Sequence, residues 1–139
     1  MTGDEATAQE TGTTPKLSKP QLLQRDQLAA EINSYLSKLP RRHSSMEKLV
    51  THLGISRSVH AIEPVKEDLI ELRDLIEDAG ASIDCLEALD PSSAATSKNA
   101  LARHQENYES LYTRYMTASN EAKRVAAEAA TRAQQARQA

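Results

Sequence analysis

An all-α fold follows from this 139-residue sequence on three grounds. Large aliphatics that are not β-branched, together with Ala, Glu, Gln, Lys and Arg, dominate it, and these residues lose little rotamer freedom in a helix. Four Gly and five Pro are too few for a sheet protein that turns about every ten residues. Two long stretches repeat apolar residues in alternating steps of three and four, the period of one helix face. Hydrophobic residues make up 39% of the chain and charged residues 27%, which allows one lean domain. The expected architecture is an antiparallel three-helix bundle with an additional short helix, a disordered N-terminal tail and an extended C-terminal helix.

Residues 1–18 are rich in Thr and Gly and poor in large apolar side chains, so burial cannot offset the entropy of ordering them. They are expected to form the tail. Ser18 and Pro20 mark the start of a first helix over about 20–39, with Pro inside its first turn. Leu28, Ile32, Tyr35 or Leu36, and Leu39 give it one apolar face. Pro40 is expected to end it, because proline disfavours helical geometry at the residue before it. Ser44 and Glu47 then have capping-box spacing for a short helix over 44–53, with Met46, Leu49, Val50 and Leu53 as its stripe. Gly54 is expected to take the left-handed position after its end. The same segment also fits the rigid part of a long helix-to-helix connection.

The segment 64–89 carries Val65, Leu69, Leu72, Ile76, Ala79, Ile83 and Leu86, an unbroken heptad seam. Ile70, Leu75 and Leu89 widen it, as contact with two neighbours requires. Gly80 in its middle predicts either a close helix approach or a bend. Asp90 or Ser92 can cap the last helix, expected over 92–122. Its seam runs Leu101, His104, Tyr108, Leu111, Tyr115, Ala118, Ala122, Val125 and Ala129. Beyond Val125 the seam holds only Ala, so 123–139 reads as a frayed helical extension leaving the bundle. Such an ending suits a domain of a longer protein or one awaiting a partner helix.

Charge is segregated. Residues 19–60 hold seven bases and three acids, 61–90 ten acids and two bases, and 91–139 seven bases and four acids. An acidic segment between basic ones suits antiparallel packing with complementary neighbours; the other reading is three solvated faces, since exposed pairs contribute only ~0–1 kcal/mol each.

Several classes fall away. No apolar run approaches the roughly 18 residues of a membrane span, and the Thr-rich, acidic start is unlike a signal or transit peptide. The single cysteine, Cys85, fits a reducing compartment and reads as a core or near-core thiol. A net charge of −3 argues against general nucleic-acid affinity. His43, His52 and His60 read as structural or exposed side chains with no zinc-ligand spacing. His104, within a seam, reads as a register-fixing polar group. The carboxylates of 63–90 lack the order of a calcium loop. No catalytic residue, cofactor or metal is expected, and the protein is read as a non-enzyme. Arg41-Arg42-His43-Ser44 matches the pattern of basophilic kinases, which makes Ser44 a candidate phosphorylation site; as an N-cap its phosphate would meet free N–H groups and the positive helix end. The alternative is a basic loop that solubilises a connection.

Leu101, Arg103 and His104 followed by Tyr112 and Tyr115, an acidic helix with Leu69, Leu72 and Arg73 upstream, and a first helix with Leu23, Arg25, Ala29 and Leu36 together resemble the N-terminal three-helix regulatory domains of SNARE proteins of the Golgi Qb type. The resemblance covers about residues 20–120. It implies a non-catalytic domain that folds back on a fusion helix or recruits tethering factors, at the cytosolic face of Golgi or endosomal membranes. It also implies that the chain is the regulatory portion alone, without membrane insertion of its own. The stretch Leu86-Glu87-Ala88-Leu89-Asp90-Pro91 is similar, more faintly, to the BAG domains of chaperone cofactors. The strict heptad period suits a third reading, a coiled-coil subunit of a kinetochore, tethering or cytoskeletal scaffold, with pairing across copies. The common expectation is a cytoplasmic protein-binding module in vesicle transport that engages a partner through helix faces.

Overall fold

The computed structural model describes residues 16–138, so residues 1–15 of the expected tail lie outside the described residues. Three helices account for nearly all of it: α1 (Lys19–Ser56), α2 (Ile62–Leu89) and α3 (Pro91–Gln138), with a single 3-10 turn at Val59–Ala61. Among the described residues there is no strand. The chain is an all-α three-helix bundle.

Cross-helix contacts give the directions. Ser82 bonds to Glu31 and Arg42 pairs with Glu71, so numbers rise along α1 as they fall along α2. Arg25 reaches Asp90, Glu47 reaches Arg114 and Arg57 reaches Glu121, so α1 and α3 run parallel. The topology is up, down, up.

α1 starts as its sequence dictates. Ser18 is the N-cap; the Gln21 backbone N–H donates to its Oγ at 3.3 Å, and the Ser18 N–H donates to Gln21 Oε1 at 2.8 Å. Pro20 sits in the first turn, where its missing N–H is no loss.

Pro40 does not end the helix. It lies exposed inside a continuous helix of 38 residues, and the expected break, separate short helix and Ser44 cap are all corrected. The apolar stripe explains why. Ile32, Leu39, Met46, Val50 and Leu53 are all buried, and the row passes straight through the proline. Burying such side chains contributes about 1.5–3 kcal/mol each, against roughly 3 kcal/mol for one interior proline. Ser44 is therefore exposed in mid-helix. Gly54 is likewise helical, and Arg57 adopts the left-handed conformation instead (φ 52°), its N–H donating to the Leu53 carbonyl.

The α2 seam is buried throughout: Val65, Leu69, Leu72, Ile76, Ala79, Ile83 and Leu86 are each at most 5% exposed. Ile62 joins them, so α2 begins two residues before Pro64. Ile70, Leu75 and Leu89 are half-buried at its flanks. Asp90 alone connects α2 to α3. Its carboxylate accepts from the hydroxyls of Ser92 and Ser93, and its backbone carbonyl from the Ser93 N–H. Pro91 is the first residue of α3.

On α3, Leu101, Leu111, Tyr115, Ala118 and Ala122 are buried, whereas His104, Tyr108 and Val125 are half-buried. Leu28 and Leu36 pack half-buried on the core from α1. From Ala127 to Gln138 every residue is exposed, yet the helix continues without a break.

Candidate functional site

No helix of the described residues is long and apolar enough to cross a membrane. Nor, among them, do three His, Cys, Asp or Glu side chains gather as a metal set. Cys85 is exposed, which corrects its reading as a core or near-core thiol: it lies two residues past the buried Ile83 and one before the buried Leu86, on the outer side of α2. Ser44 is exposed between Arg42 and Glu47 on a continuous helix, so a phosphate there would find no free N–H groups and no helix end. The stabilisation expected of a phosphorylated cap does not apply.

His52 and His60 are exposed and separate. His43 and His104 are not. Their rings stack with centroids 5.1 Å apart and planes 6° from parallel, joining α1 to α3. His43 is 9% exposed, and neither of its ring nitrogens has a hydrogen-bond partner; the Nδ1 of His104 is also buried without one. Burial pushes the His43 imidazole below its ordinary pKa, and the neighbouring His104 adds to the effect. His104 is lowered as well, by burial first and then by Arg103. Sequence reasoning placed His104 in a seam but did not pair it with His43. Spacing could have put His43 on the buried row of α1, four residues after Leu39 and three before Met46, though not against its partner.

The second feature is on the outside. Tyr108, Tyr112 and Tyr115 form a chain of rings on α3, with centroids 6.3 Å and 6.1 Å apart. Tyr115 closes on the core, whereas Tyr112 stays 46% exposed and Met116, one turn further on, 41%. The half-buried Tyr108 hydroxyl is raised by burial, with Arg73, Glu77 and Asp74 of α2 close enough to act on it. The Tyr108 end of the stripe therefore borders α2, whose Glu67, Glu71, Asp74, Glu77 and Asp78 are exposed.

Among the described residues, the basic segments meet the acidic one at a few places only: Arg42 with Glu71, Lys98 with Glu87 and Arg25 with Asp90. Both readings of the charge pattern hold in part, since most of the α2 carboxylates remain solvated.

No protein-family model matches the chain, and comparison with curated proteins and with solved structures finds no significant match.

Proposed function

We propose that the chain is a non-catalytic protein-interaction module, a regulatory helical bundle of the kind SNARE proteins carry, acting in vesicle trafficking. One observation supports it above the rest. The three apolar seams close on one another within a single chain, yet Tyr112 and Met116, one turn apart on α3, remain exposed, and Tyr112 stacks on Tyr108, which lies against charged groups of α2. Aromatic and Met side chains are over-represented at protein contacts. The occupant that suits this face is an amphipathic helix of a partner protein with basic residues along its edges, which lays its apolar side into a groove. The trafficking assignment is supported by the resemblance of the Leu101-x-Arg103-His104 start and the tyrosines that follow.

Sedimentation equilibrium on the whole chain over a wide concentration range tests the reading. A monomer with a cooperative thermal transition is expected. A concentration-dependent dimer or larger species would overturn it in favour of a coiled-coil subunit of a larger scaffold, a reading that the fully exposed helical stretch from Ala127 to Gln138 favours.

A further inference from the structure

We propose that the stacked His43–His104 pair is a proton-operated release between α1 and α3: neutral, the two rings fill the bundle, and protonated, they part the helices at that level. The proposal is independent of what the module binds.

The geometry supports it directly. Two imidazoles lie face to face at 5.1 Å, and three of their four ring nitrogens are buried with no partner. Neutral, His43 leaves one donor and one acceptor unmet and His104 one ring nitrogen, a penalty of uncharged polar groups only. A cationic ring is not tolerated there, because its charge is desolvated with nothing to pair it. Two cations at this separation would also repel.

The surrounding groups offer no relief. On α1 the charged neighbours in sequence are Arg41, Arg42 and Glu47, and Arg42 and Glu47 are engaged with Glu71 and Arg114. On α3 they are Arg103 and Glu106, of which Arg103 opposes protonation, and the titratable Tyr108 is neutral in this range. On α2, Glu71 faces Arg42, and Arg73, which with Asp74 and Glu77 acts on the neighbouring Tyr108, pairs with both of those carboxylates. Among the described residues no carboxylate forms an ion pair with either imidazole.

The sign follows from linkage. Both rings titrate lower in the folded chain than the ordinary 6.5. Below about pH 7 the unfolded chain therefore binds more protons, and stability falls as pH falls through 6.5 towards the folded values. Ordinary carboxylates titrate near pH 4, so the window above about pH 5.5 belongs to histidine.

Thermal melts of the whole chain at about pH 7.5 and about pH 5.5 provide the test. The wild-type midpoint should drop by a few degrees between them. A His52→Gln/His60→Gln variant should keep that drop, because those side chains are exposed. The His43→Leu/His104→Leu variant should lose it. A wild-type midpoint that does not move, or a drop that survives in the double Leu variant, overturns the proposal. If the Leu variant does not fold, a proton NMR titration of the wild-type imidazoles decides: His43 and His104 must titrate below the ordinary 6.5, and titration at that value refutes the release.

Discussion

Leu101 of α3 places its Cδ2 3.4 Å from the point where a Cβ on Gly80 of α2 would stand. The glycine therefore sits at a close approach of two helices and within an uninterrupted helix. That distance is an ordinary contact with the tip of a flexible side chain, so a methyl group fits. Alanine in a helix interior is favoured over glycine by about 1 kcal/mol. Gly80→Ala should raise stability by about 0.5–1 kcal/mol, and Gly80→Leu should lower it by overpacking. Urea denaturation of the two variants checks both signs.

Pro40 lies exposed in mid-helix and donates no hydrogen bond, which leaves the Leu36 carbonyl without its helical partner. Pro40→Ala should restore that bond and stabilise the chain by about 1–3 kcal/mol. If the variant were instead neutral or destabilised, with helicity by circular dichroism unchanged, a continuous α1 would be in doubt.

Leu72 is 1% exposed and Leu111 6%. Truncation of either to Ala should destabilise by about 2–5 kcal/mol, through lost transfer energy and the cavity left behind. A melting point within a degree or two of wild type would show that the seams are not packed as described.

Asp90 joins α2 to α3 with its carboxylate held by the hydroxyls of Ser93 and Ser92 and by Arg25, and these keep its pKa below the usual 3.8. A depressed carboxylate contributes stability above its unfolded pKa and loses it as pH falls through the folded value. Asp90→Asn should therefore be less stable than wild type at neutral pH, and the two should converge as pH falls from 3.8 through the lower folded value. Parallel acid titrations monitored by circular dichroism would reveal the convergence; a constant gap at every pH would rule out the charge as its cause.

The α2 seam was legible in the sequence because its apolar residues follow one period without interruption, and Val65 to Leu86 are all buried. The start of α1 was legible as well, since Ser18, Pro20 and Gln21 act locally. Pro40 misled for a physical reason: backbone preference at one residue is a local term, whereas the stripe from Ile32 to Leu53 is stabilised by burial against two other helices. Gly54 misled in the same way, because α1 ends where its burial ends, and Arg57 accepts the left-handed backbone there. Cys85 shows the limit of residue-type statistics, since its place on the helical wheel, not its hydrophobicity, puts it outside. The pairing of His43 with His104 joins residues on two parallel helices, and no local pattern in either segment states which partner the other ring meets.

The tyrosine chain on α3 has a spectroscopic consequence. The protein contains no Trp and no Phe, so its near-ultraviolet signal comes from four rings. Three of them, Tyr108, Tyr112 and Tyr115, lie in succession on one helix from half-buried through exposed to buried, and the fourth, Tyr35, packs on α1 with its hydroxyl donating to Glu31 at 3.5 Å. Single Tyr-to-Leu replacements would separate these contributions. The molecule thus carries intrinsic reporters of two different surfaces, and occupancy of the α3 stripe can be followed in unlabelled protein by watching Tyr112 while Tyr35 serves as the internal reference.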